Sequence, residues 1–118
     1  LRNHRPKATI IVNSLLPRST DDDLSWENSV YRTPIVYINK RLECIVRSVP
    51  NLEYFDATGL FLDKNGDRII SELMPDGIHP SPQGADVWGT KMAVVIGQLT
   101  NHSMTAEYKN LNMRGMEK

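Results

Sequence analysis

The run Ala8-Thr9-Ile10-Ile11-Val12-Asn13-Ser14, with Pro6-Lys7 before it and Pro17 after it, restricts the fold of this chain more than any other segment. It is short, apolar and β-branched, and lacks the alternation of a strand with one wet face, so it predicts a strand buried on both faces. A parallel neighbour would need a crossover of a dozen or more residues, and the sequence supplies one. From Pro34 onward, Ile35, Ile38, Leu42, Ile45 and Val49 recur at spacings of three and four. They predict a helix that ends before Pro50, with Asn39, Lys40, Glu43 and Arg47 on its other face. Leu52 to Thr58 (LEYFDAT) then predicts a second strand, parallel to the first.

The rest of the chain falls around this β-α-β unit. Residues 17–33 are polar, include Asp21-Asp22-Asp23, and read as a long surface connection anchored by Trp26. Asp63-Lys64-Asn65-Gly66-Asp67 reads as a turn and Glu72 to Ser81 as a loop. Ser81 can then cap a helix that Pro82 opens, with Val87, Trp88, Met92, Val95, Ile96 and Leu99 on one face. Periodicity fades at about Asn101, so residues 1–100 are expected to form one partial domain and residues 101–118 a polar, mobile tail or stray helical turn. Two strands and two helices are less than a parallel sheet normally contains. The pattern is that of an α/β protein of which only the last two strands and long helices are present.

Composition removes other classes. Fourteen basic residues balance fourteen acidic ones, and no basic stripe is interleaved with aromatics, which excludes the usual footprint of a nucleic-acid binder. The single Cys44 can form neither an internal disulfide nor a Cys-based zinc site and is expected to be a small core residue. No apolar run is long enough to cross a bilayer, and Leu1 to Pro6 has no signal-peptide pattern. Asn101-His102-Ser103 fits a glycosylation sequon, a triplet common by chance. None of this assigns a compartment.

Met74-Pro75-Asp76-Gly77-Ile78-His79-Pro80-Ser81 places a carboxylate and an imidazole three residues apart in a loop that opens a helix. There the carboxylate can accept a hydrogen bond from Nδ1 and leave Nε2 free to take a proton from a hydroxyl nucleophile. Taken alone, the pair reads more readily as polar loop residues, an Asp-Gly turn followed by a histidine bonded to backbone. The surrounding residues weigh against that. DGIHPSPQG resembles the last signature block of SGNH (GDSL-type) serine ester hydrolases, and IIVNSLLPR (Ile10 to Arg18) is similar to the strand and loop that precede that block in the platelet-activating-factor acetylhydrolase-like branch. Asn39 and Leu42 match the intervening helix, and FDATGLFLDKNGDRIISELMPDGIHPS is similar to the passage into the catalytic loop.

The resemblance runs from about residue 8 to residue 99. It implies the C-terminal β-α-β-α portion of a flavodoxin-like three-layer α/β/α sandwich, with His79 as general base and acid, Asp76 as its orienting partner, and no cofactor. The implied substrate is a small-molecule ester, a lipid or an acylated sugar with a short acyl group. The family's Gly-Asp-Ser block and its Gly-x-Asn-Asp block, which supply the nucleophile and oxyanion donors, do not occur in the chain. Ser14 lacks the glycines of a nucleophile turn, and Ser81 reads as a cap, so neither is assigned the part. The isolated chain is expected to be inactive. Two alternatives stand beside this reading: a non-catalytic interaction module on the same scaffold, and a calcium loop at Asp63 to Asp67. The second matches an EF-hand at positions one, three and five, but has Arg68 at the sixth position and Met74 at the twelfth.

Overall fold

Ile10–Asn13 forms strand β1 and Leu52–Phe55 forms strand β2, joined by helix α1, Arg32–Arg47, in a computed structural model that describes the backbone of residues 8–112 and the side chains of residues 8–100. The strands pair in parallel, with Ile10 opposite Leu52 and Asn13 opposite Phe55. A 3₁₀ turn, Thr58–Phe61, follows β2, and helix α2 spans Pro82–Asn112. Among the described residues the chain is a small α/β protein with a two-stranded parallel sheet and two α-helices. It divides into two units, residues 1–87 and residues 88–118. No helix among the described residues is long and apolar enough to cross a membrane. The start of the chain and the Asn101 side chain lie outside what is described.

In the first unit, Asn51 closes the turn between α1 and β2 in the left-handed region, at φ 64°, a conformation that asparagine tolerates. The apolar core lies beyond the carboxyl end of β2. Phe55, Ala57, Phe61, Ile69, Leu73 and Met74 are buried there. The expected anchor Trp26 is buried at 3% exposure and fastens the connection 17–33, its N–H and that of Glu27 both donating to the carbonyl of Asp67. The turn at 63–67 folds back so that Leu62 bridges Ile69.

Three expectations need correction. First, β1 is only half-buried, because among the described residues it has β2 as its one neighbouring strand. Second, α1 is rotated from its expected face: Ile35, Asn39, Leu42 and Val46 turn inward, Ile38 and Ile45 are exposed, and Val49, also exposed, lies beyond the helix end at Arg47. The polar contacts of Asn39 set this rotation, its Oδ1 accepting the Leu15 N–H at 2.7 Å and its Nδ2 donating to the Leu15 carbonyl and to Thr58 Oγ1, each at 3.2 Å. Third, Cys44 is exposed, since it lies roughly 200° around the helix from buried Val46.

The second unit is the continuation of α2. Trp88, Met92, Val95 and Leu99 are half-buried as the periodicity predicts, whereas Ile96 is exposed. The helix continues beyond the loss of periodicity, to Asn112.

Candidate active site

Met74 and Leu73, both buried, hold the entrance to the Asp76 loop against the core. At its exit, Ser81 makes the expected cap, its Oγ accepting the Gly84 N–H at 3.0 Å and donating to the Glu72 carbonyl at 2.6 Å. Gly84 is a steric necessity rather than a helix weakness, because a Cβ there would lie 2.3 Å from the Leu73 carbonyl oxygen. In the middle of the loop, Gly77 takes φ 74°, and its carbonyl accepts the Ser19 N–H at 2.9 Å. A Cβ on Gly77 would meet Ser19 Oγ at 2.6 Å. The loop that follows β1 and the Asp76 loop are thereby locked together.

The structure brings Asp76 and His79 into direct contact, with Nδ1 of His79 2.6 Å from Oδ2 of Asp76. The other carboxylate oxygen accepts the backbone N–H groups of His79 at 2.7 Å and Ile78 at 2.8 Å. The His79 N–H, then its ring, then the Ile78 N–H hold the Asp76 carboxyl well below the usual carboxylate range. An ionised Asp76 accepts only, so Nδ1 of a neutral His79 carries the proton and Nε2 carries the lone pair. The His79 side chain is 77% exposed, which leaves Nε2 accessible to an incoming group. Such a pair can accept a proton at Nε2 and stabilise the imidazolium that results.

The two serines behave as structural groups. Ser14 is buried, and its Oγ accepts the N–H groups of Ala57 at 2.9 Å and Thr58 at 3.2 Å, tying the ends of the two strands together. Ser81 is occupied as the helix cap. Asp63 uses its Oδ1 to accept the Asp67 N–H at 3.0 Å and the Arg68 N–H at 3.4 Å, closing its own turn. These bonds, the Asp67 N–H first, hold its pKa below the ordinary value. Sequence reasoning missed the Ser19 contact to Gly77. The Asp-Gly dipeptide marks a turn, but nothing local indicates which distant loop it meets. A groove of about 500 Å³ bordered by Asn39, Lys40, Glu43, Tyr54 and Asp56 includes neither Asp76 nor His79 in its lining. Burial first, then the charges of Asp56 and Glu43, push the Tyr54 phenol up from its ordinary pKa.

No protein-family model and no curated protein matches the sequence. Among solved structures the chain is similar to a Streptococcus pneumoniae protein provisionally named a platelet activating factor, with a TM-score of 0.65 and 18% identity. The match covers 80% of this chain and 44% of the streptococcal one, so the chain spans less than half the length of that neighbour. At this identity the likeness is one of fold.

Proposed function

We propose that this chain is the C-terminal part of an SGNH-type serine ester hydrolase, with Asp76 and His79 as the orienting and proton-transferring members of its triad. The observation that carries the reading is the 2.6 Å contact between His79 Nδ1 and Asp76 Oδ2, made by a carboxylate that two backbone amides already hold in place. The fold likeness to a protein named for platelet activating factor supports it, as does the resemblance of the flanking strand and loops. In the whole domain the two strands described here would lie in a flavodoxin-like sheet covered by helices on both faces.

The chemistry follows from the free Nε2. A serine from a segment outside this chain attacks the ester carbonyl while Nε2 of His79 takes its proton, and the imidazolium is held by Asp76. His79 returns that proton to the departing alkoxide, leaving an acyl-serine. Water then attacks the acyl carbon, His79 takes a proton from it, and that proton passes to the serine as the acid leaves. The substrate is a short-chain ester of a lipid or sugar alcohol. No metal or organic cofactor takes part.

The isolated chain has no nucleophile to activate. Incubated with p-nitrophenyl acetate, it should release p-nitrophenol no faster than its His79→Ala variant. Turnover that both His79→Ala and a serine-directed phosphonate abolish would mean that a serine within these residues attacks the ester, and would contradict the proposed division of the site.

A further inference from the structure

The connection between β1 and α1 folds back on itself, with Thr20 bridging Asp23 and Ser25 bridging Arg68. It encloses a pocket of about 160 Å³ whose lining includes Ser19, Thr20, Asp23, Ser25, Asn28 and Tyr31. This is below the roughly 300–1,000 Å³ of pockets that take drug-sized ligands, and it suits one small ring. Two of its hydroxyls are buried, Ser19 at 4% exposure and Ser25 at 8%. Buried polar groups normally find good partners, yet these two are underused. Ser19 Oγ reaches the neighbouring Thr20 carbonyl at 3.4 Å, longer than the roughly 2.5–3.0 Å usual between two oxygens. Ser25 Oγ accepts the Asn28 N–H at 3.0 Å, and among the described residues nothing accepts its proton. The Thr20 hydroxyl and the Asn28 side-chain amide likewise have no partner among the described residues.

The chemistry of the lining narrows the occupant. No Lys, Arg or His borders the pocket, which argues against phosphate or another anion. Its one carboxylate, Asp23, already accepts the Ser25 N–H at 3.0 Å and lies 3.9 Å from the Arg68 guanidinium. No cluster of metal-ligating side chains occurs among the described residues. The apolar lining is confined to Val30 and the Tyr31 ring, over which the Arg18 guanidinium sits at 4.4 Å, so a hydrocarbon chain would bury little surface there. The lining matches a neutral group whose hydroxyls donate to carboxylate and serine oxygens and accept from hydroxyl and amide protons. The pocket also abuts the candidate active site. Ser19 donates its N–H to the Gly77 carbonyl at 2.9 Å, and a Cβ on Gly77 would meet Ser19 Oγ and the Thr20 nitrogen. Gly77 is two residues from His79, a span of at most about 7 Å between their Cα atoms. We propose that this pocket binds a neutral pyranose ring, the alcohol part of an acylated sugar whose ester reaches His79. The link to an ester rests on the hydrolase reading above; the sugar pocket itself does not.

The test is an NMR titration of the full 118-residue chain, labelled with nitrogen-15. The probes are the methyl pyranosides of glucose, galactose, mannose and xylose and, separately, glycerophosphocholine, the soluble headgroup of a lipid ester. At least one pyranoside should shift the Thr20, Ser25 and Asn28 amides saturably, and glycerophosphocholine should not. Ser19→Ala and Asn28→Ala should each weaken that binding by about three- to tenfold, the loss of one neutral hydrogen bond. Asn28 is exposed, so its variant keeps the test informative if Ser19→Ala disturbs the loop. Lys40→Gln, on α1 and outside the pocket, should leave the binding unchanged. No saturable shift with any pyranoside, binding that neither alanine variant weakens, or saturation by glycerophosphocholine would each overturn the inference. Binding is read without turnover, so the two readings fail separately. Absence of pyranoside binding refutes the sugar pocket and leaves Asp76 and His79 as proposed, whereas binding with the stated sensitivities upholds the pocket even if the p-nitrophenyl acetate assay contradicts the hydrolase reading.

Discussion

The electrostatics of Asp76 are local. Its carboxylate gains two backbone amides and an imidazole on folding, and its pKa is depressed, so the contribution of these bonds is fully present above the ordinary value of about 3.9 and is lost as pH falls through the lower folded value. The amide resonances of Ile78 and His79 should therefore stay fixed as pH falls past about 3.9 and shift only in stronger acid; a midpoint at the ordinary value would contradict the geometry. Nitrogen NMR of the ring should show neutral His79 as the Nδ1–H tautomer, with Asp76→Asn moving the population toward Nε2–H. Gly77 is the other residue on which the pair depends. Gly77→Ala would place a side chain at positive φ against Ser19 and should cost about 1–3 kcal/mol in urea unfolding, shifting the Ile78 and His79 amides as well. The contact between Asp76 and His79 was legible because the Asp-x-x-His spacing lets the two side chains converge in a turn. The support from Ser19 was not, since it spans two loops far apart in sequence.

The two strands and the two long helices were legible in type, but the 3₁₀ turn Thr58–Phe61 was not, the second strand being expected to run on to Thr58 where β2 ends at Phe55; orientation was less legible still. The β-α-β order, the parallel pairing and the Ser81-Pro82 helix start all follow from local signals, and the structure contains them. Helix α1 shows why the inner face was harder to read. Its apolar residues outnumber the positions that its two strands can cover, and the hydrogen bonds of Asn39 decide which of them turn inward. Periodicity identifies the apolar row but not the polar contact that rotates it away. The start of α2 gives a prediction against propensity. Alanine is favoured over glycine in a helix by about 1 kcal/mol, yet Gly84→Ala would drive a methyl group into the Leu73 carbonyl oxygen. Thermal unfolding followed by circular dichroism should show that variant melting below the wild type, and a higher midpoint would mean that the helix start and the Asp76 loop are not in contact.

At the scale of the molecule, the fold shared with the streptococcal neighbour covers 44% of that neighbour's chain. The sequence has no Gly-Asp-Ser block and no Gly-x-Asn-Asp block, which is why the proposed reading gives this chain only the Asp76 and His79 part of a site. The decisive measurement is the kcat for p-nitrophenyl acetate of a polypeptide that joins this chain to a Gly-Asp-Ser-bearing segment, compared with its His79→Ala variant. The account predicts a His79→Ala loss of about 10⁴-fold or more; a kcat within about threefold of the wild type would show that Asp76 and His79 are a structural turn and not the proton-transferring half of a hydrolase site.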